Sequence, residues 1–286
     1  MDQRILNLYD EFTHGDMSRR TFLDRLARIA GSTAAALALL PVLENNYALA
    51  QTIADSDDRL AAARVEYDAG GSKIAGYLAR PRAGQKHPAV IVIHENRGLN
   101  PHIQDVARRL AVEGFLSLAP DLLSPLGGTP TDEDQAAKMI GSLNAGETVA
   151  RLAATVPFLA RHAQATGKVG VVGFCWGGGM VNQLAAAGTS LEAAVAYYGM
   201  QIPATGVPKI SAPLLLHYAS LDQRINAGVA DYVAALKANN KMYEQYMYEG
   251  ANHAFNNDTN AARYNKEAAT LAWSRTITFL KKHLAA

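Results

Sequence analysis

The stretch Gly170-Val171-Val172-Gly173-Phe174-Cys175-Trp176-Gly177-Gly178-Gly179 restricts the fold more than any other part of the chain. A buried strand pattern passes directly into Gly-x-Cys-x-Gly, and a helical pattern, Trp176 to Ala187, follows without a spacer. The glycines allow a turn too tight for side chains, and that turn lifts Cys175 clear of both flanking elements. The helix N-terminus behind Cys175 favours a thiolate. The backbone N–H of Trp176 points to where an oxyanion would form. Cys175 is the only cysteine, so no internal disulfide exists. A buried, inert cysteine in a glycine-rich turn is the simpler role, and the strand–turn–helix context argues against it.

The rest of the chain alternates strand and helix. Lys73–Ala79, Ala89–His94, Phe115–Leu118, Val169–Val172, Ala193–Tyr197, Pro213–His217 and Tyr243–Tyr248 read as strands. Ala89–His94 is a continuous apolar run, as a buried parallel strand requires. Ile103, Val106 and Leu110 share one helical face, closed by Gly114, and Ser124–Thr131 is a Pro/Gly-rich loop. Further helices are expected over Thr148–Ala163, with a kink at Pro157, and over Gly228–Asn239 and Ala261–Leu284. The alternation predicts an α/β fold: a mostly parallel central sheet with helices on both faces. In such sheets ligands sit beyond the carboxyl ends of the strands. A hydrophobic content of 49% supports a full core, and a net charge of +1 gives no reason to expect a nucleic-acid partner.

A cysteine nucleophile needs a base, and the base needs an orienting group. Asp222 follows the strand Pro213–His217, and His253 lies in the loop after Tyr243–Tyr248. The order nucleophile, acid, histidine is that of α/β-hydrolases. Asp222 alone could be a helix cap and His253 a surface histidine; together, in order and at strand ends, they form a candidate triad. Asp231, inside a helix, and His217, in a strand, are poorer placed. The turn His94-Glu95-Asn96-Arg97-Gly98 follows the strand that supplies the second oxyanion donor in this fold, which puts the Asn96 N–H in that role. None of the eight histidines falls in an H-E-x-x-H or H-x-x-x-H pattern, so neither metal nor cofactor is indicated.

At these residues the chain resembles the dienelactone hydrolase (carboxymethylenebutenolidase) family, from roughly Arg64 onward. The matching motifs are His94-Glu95-Asn96-Arg97-Gly98, Ala119-Pro120-Asp121-Leu122, Gly173 to Gly178, Leu221-Asp222 and Asn252-His253-Ala254-Phe255. The resemblance implies an α/β-hydrolase fold, a Cys175–Asp222–His253 triad and a small ester or lactone substrate. It also implies that Glu95 holds the resting thiol. Two arginines that bind the substrate carboxylate in the family are missing. Their places fall near Ser124-Pro125 and at Asn257. Asn257 is thus a candidate substrate contact without charge. Arg97 and Arg224 are candidate replacement cations, unless nearby Asp and Glu already pair them. The expected substrate is therefore a neutral short ester or lactone rather than a dienelactone. The competing reading is a non-catalytic or redox-sensing binding protein that keeps the pocket.

Residues 1–50 stand apart from the hydrolase-like region, 51–286. Ser18-Arg19-Arg20-Thr21-Phe22-Leu23 matches the twin-arginine export pattern. The apolar run Ile29–Leu43 is too short for a membrane-spanning helix of about 20 residues. Ala48-Leu49-Ala50 offers a cleavage site before Gln51. Export to the periplasm is one expectation. The other is a retained cytoplasmic segment, since Leu6, Tyr9 and Phe12 form an apolar stripe that can dock on the body.

Overall fold

The computed structural model describes residues 1–49, 52–84 and 86–285. Its strands are β1 (Leu60–Ala69), β2 (Ser72–Pro81), β3 (His87–Ile93), β4 (Leu116–Pro120), β5 (Ala165–Phe174), β6 (Ala193–Tyr197), β7 (Leu214–Ala219) and β8 (Tyr243–Tyr248). They form one eight-stranded sheet in the order β1-β2-β4-β3-β5-β6-β7-β8. The β1–β2 and β2–β4 pairs are antiparallel, and every pairing from β4 to β8 is parallel. The helices are α1 (Gln3–His14), α2 (Arg19–Ala30), α3 (Thr33–Leu43), α4 (Pro101–Val112), α5 (Glu133–Ser142), α6 (Ala145–Ala160), α7 (Trp176–Ala185), α8 (Gln223–Asn226), α9 (Val229–Ala238) and α10 (Lys266–Leu284).

Both sheet faces are covered, and the central strands show why they read as unbroken apolar runs. In β3, Val90 and Val92 pack with Ile103, Val106 and Leu110 of α4 and Leu280 of α10. The intervening Ala89, Ile91 and Ile93 pack on the opposite face with Leu152 of α6 and Val181 and Leu184 of α7. Successive side chains of a strand point to opposite faces, so a strand buried on both sides must be apolar at every position.

Three elements depart from expectation. β1 and its hairpin with β2 were not expected. The strand lies at the sheet edge with Ala62, Ala63 and Arg64 exposed in succession, and its hairpin turns through Gly70 and Gly71, both at positive φ. Two-residue hairpin loops favour that conformation. α5, capped by Asp132, was also unforeseen, in a segment without a strong apolar period. α10 starts at Lys266 rather than Ala261, because the Asn265 side chain caps it by accepting from the Ala268 N–H.

The N-terminal helices α1–α3 fold together. Ile5, Leu6, Tyr9, Phe22, Leu26, Ala36 and Leu43 form an apolar cluster of their own, and the Phe12 and Phe22 rings stack at 4.5 Å. Gly31, at φ 85°, breaks the apolar run into α2 and α3. Among the described residues no single helix is long and apolar enough to cross a membrane. The pair Arg19–Ala30 and Thr33–Leu49 meets the test only together, bent by 111°. Arg19 pairs with Glu44 at 2.8 Å and with Asp134 of α5 at 3.3 Å. Ala50 and Gln51, at the expected processing junction, lie outside the described residues.

Candidate active site

The carboxyl ends of β3, β5, β7 and β8 deliver Glu95, Cys175, Asp222 and His253 to one edge of the sheet. The β5–α7 turn is the tight elbow that the sequence demands. Cys175 sits at φ 55° and ψ −118°, outside the ordinary L-residue regions. Such strain persists only where the surroundings enforce it. A Cβ on Gly173 would collide with the Gly177 carbonyl, and one on Gly177 with the carbonyls of Ile93 and His94. Trp176 opens α7, so its N–H has no carbonyl partner within the helix and is free for an oxyanion.

Asp222 fills two roles. One carboxylate oxygen accepts from the Ile225 N–H at 3.1 Å and caps α8; the other lies 2.5 Å from His253 Nδ1. Both residues are buried. The aspartate fixes the proton on Nδ1 and leaves Nε2 as the basic nitrogen. Among the described residues that buried Nε2 has no hydrogen-bond partner. The rivals fall away. His217 is locked in the core between Thr276 and Tyr248, and burial with the nearby Arg275 charge pushes its pKa down to about 3. Asp231 is exposed on α9.

The thiol's hydrogen-bond partner is not Glu95, as the resemblance implied, but His14 from α1. His14 Nε2 lies 3.0 Å from Cys175 Sγ. Its Nδ1 is 3.0 Å from both the Asp10 backbone carbonyl and the Asp10 carboxylate. Burial opposes a charge on His14, but the Cys175 sulfur and Asp10 outweigh it and hold its pKa above the ordinary value. Polar contacts seat this helix on the body. Asn96 Nδ2 donates to the Thr13 carbonyl at 2.7 Å, Gln3 donates to Asn252 at 2.6 Å, and Arg224 pairs with Asp10 at 3.1 Å. The Asn96 side chain is thus spent on the N-terminal segment, whatever its backbone N–H does.

Glu95 is buried and held elsewhere: Asn257 Nδ2 donates to one oxygen at 2.8 Å, and Tyr198 Oη donates to the other at 3.5 Å. Asn257 therefore binds Glu95 instead of reaching toward a substrate. Arg97 is not an open cation: it donates to the Glu133 carbonyl at 2.6 Å and lies 3.6 Å from Asp134. Arg224 gives its Nε to Asp10 at 3.1 Å and still lines the groove beside the site. Arg263 carries no recognisable signal in the sequence. It is buried, its Nε has no hydrogen-bond partner among the described residues, and it lies over the Tyr9 ring at 5.0 Å.

Two spaces meet at this site. A groove of about 310 Å³ runs between α1 and the body; Asp10, Asp222, Arg224, Asn252, His253 and Arg263 are among its lining residues. A cavity of only about 10 Å³ lies over Cys175, bordered by His14, Glu95, His253 and Arg263. His253 and Arg263 line both. His14, Cys175 and His253 also bring three donor atoms within 4.8 Å of one another, a set able to hold a transition-metal ion. No local spacing could reveal it, because the donors come from distant segments.

Comparison with known proteins covers both parts of the chain. A model of the dienelactone hydrolase family matches residues 74–284, and a YqhI-like model matches residues 1–31. A carboxymethylenebutenolidase homologue of Saccharolobus solfataricus is 34% identical over 76% of this chain and 96% of its own. One from Methylorubrum extorquens is 31% identical over 93% of this chain and 96% of its own. The crystal structure of a dienelactone hydrolase-type protein from Klebsiella pneumoniae superposes with a TM-score of 0.72 at 31% identity, covering 78% of this chain and 99% of that one.

Proposed function

The chain belongs to the dienelactone hydrolase family of α/β-hydrolases, and from that premise we propose that it cleaves a small ester or lactone through a Cys175–His253–Asp222 triad. The observation that carries this is the Asp222–His253 pair at 2.5 Å, which leaves an unpartnered Nε2 beside a strained, elbow-mounted cysteine. The Cys175 thiolate attacks the carbonyl carbon, and the N–H groups of Trp176 and Asn96 receive the oxyanion. The alcohol leaves, and water frees the acid from the thioester. The tight cavity over Cys175 favours one other reading, a binding protein that does not turn over. Mixing with p-nitrophenyl acetate separates them: a burst followed by steady release supports the hydrolase, and a burst that stalls supports the binding protein.

The expectation of a neutral substrate rested on missing cations, and Arg263 supplies one. Arg263 lines both the groove and the cysteine cavity, and its buried Nε has no hydrogen-bond partner among the described residues. A buried guanidinium with a free donor gains most from a carboxylate partner. The substrate class we propose is accordingly a small ester or lactone bearing a carboxylate. The wild-type kcat/KM should favour a carboxylated ester over its neutral analogue by about tenfold, equivalent to about 1.4 kcal/mol. Arg263→Met should erase that preference while leaving the neutral ester within about threefold. Equal kcat/KM for the two esters in the wild type would refute the class.

We further propose that residues 1–49 remain on the working enzyme, whichever compartment holds it. The support is that α1 supplies the thiol's partner and that the segment folds around its own apolar cluster. Protein purified from its native host should show an intact mass beginning at or next to Met1. A mass beginning at Gln51 would overturn retention and favour a cleaved twin-arginine export signal.

A further inference from the structure

We propose that His14 is a catalytic residue: backed by Asp10, it takes the Cys175 thiol proton and returns it to the leaving group, while His253 activates water. This rests on the reading of Cys175 as the nucleophile.

The tautomers follow from the contacts. His14 Nδ1 is hydrogen-bonded to the Asp10 backbone carbonyl at 3.0 Å, which can only accept, so Nδ1 carries the proton; the Asp10 carboxylate and the Thr13 hydroxyl also lie 3.0 Å from it. Nε2 then presents its lone pair to Sγ at 3.0 Å. Asp10 and His14 are four residues apart on α1, the spacing that places side chains on one helix face. Arg224 holds the Asp10 carboxylate from the far side at 3.1 Å, and Asn96 pins the carbonyl of the adjacent Thr13. The result is an imidazole held by a carbonyl of its own helix, with the Asp10 carboxylate beside it, and aimed at the sulfur.

The two imidazoles meet edge to face with centroids 4.6 Å apart. Two like charges at that separation disfavour each other. Donor atoms of both rings lie within 4.8 Å of one another and of the cysteine sulfur. The charged and titratable groups around His14 are Asp10 on its own helix, Cys175 at the elbow, His253 after β8 and Arg224 of α8 behind Asp10. Glu95, Arg97 and Arg263 border the same cavity.

In the first half-reaction the S–H bond breaks and its proton passes to His14 Nε2. Sulfur bonds to the carbonyl carbon, and the π pair moves to oxygen. Collapse breaks the C–O bond to the leaving group, which takes the proton from His14. In the second, His253 Nε2 removes a proton from water as the new C–O bond forms. The C–S bond then breaks, and the thiolate recovers a proton from His253.

The test is rapid mixing of the full-length chain with p-nitrophenyl acetate in a buffer containing a chelator. His14→Gln should slow the burst by at least about 100-fold, within the range for loss of a general acid–base. His253→Gln should keep a burst of one equivalent and then stall. Free imidazole should restore the burst to His14→Ala. Arg19→Ala, which loosens the same helical segment away from the cysteine, should keep the burst; this separates undocking from chemistry. A burst kept in His14→Gln and lost in His253→Gln overturns the assignment. So does activity that collapses in chelator and returns with zinc, which would make the three donors a metal site. A burst persisting in Cys175→Ala would instead sink the nucleophile reading beneath it.

Discussion

Cys175→Ala is expected to reduce ester hydrolysis to background, a loss of more than about 1,000-fold in kcat, while the protein stays folded. The scale follows from removing the atom that forms the covalent intermediate, which ordinarily forfeits most of the rate enhancement. The fold should survive because alanine keeps the Cβ that the elbow already accommodates at φ 55°. The deleted sulfur gives up one hydrogen bond, to His14, worth about 1 kcal/mol. Serine at the same position should retain a trace, since a hydroxyl is far less ionised than a thiol near neutral pH. Turnover of p-nitrophenyl acetate and the thermal midpoint, measured on the same samples, check both halves. Wild-type turnover in the alanine variant would refute covalent catalysis at Cys175.

The parts legible in the sequence share one property: short-range patterns determine them. The elbow is a ten-residue motif whose glycines have local steric reasons. Asp222 was identifiable because it follows the apolar run of β7, and His253 because it lies in the loop after the tyrosine-rich strand Tyr243–Tyr248. His14 was not legible, because its contact with Cys175 spans 161 positions and its segment reads equally well as an export address. A faint signal existed in Asp10 and His14, polar residues at helical spacing beside the apolar stripe of Leu6 and Tyr9. Arg263 is hidden because the pattern of Ala261–Leu284 reads as one amphipathic helix. In the structure Arg263 belongs to a turn, its N–H bonded to Asn260 Oδ1, and it faces the site instead of the solvent. The role of Glu95 came from resemblance alone and could not anticipate its capture. Asn257, standing where the family carries an arginine, donates to it.

Asp222→Asn is expected to cut steady-state kcat by about 10⁴-fold, the scale seen when an orienting aspartate becomes an amide in other triads. The cap on α8 constrains how the amide can sit. Its oxygen is needed to accept from the Ile225 N–H at 3.1 Å, so its NH₂ must turn to His253 Nδ1, where Asp222 now accepts. An NH₂ there donates, Nδ1 becomes the acceptor, and the imidazole proton moves to Nε2. His253 then points a hydrogen, not a lone pair, at the reacting atoms and cannot take a proton from water. Keeping the cap limits the stability loss to about 1 kcal/mol, so the variant should fold. Nitrogen NMR of His253 should report the exchanged tautomer directly. The kinetic signature depends on which imidazole meets the thiol. With His14 as its partner, Asp222→Asn should still deliver the acyl group to Cys175 in a single burst, and only release should fail. Full steady turnover in this variant would show that the Asp222–His253 pair does not activate water, whatever its geometry.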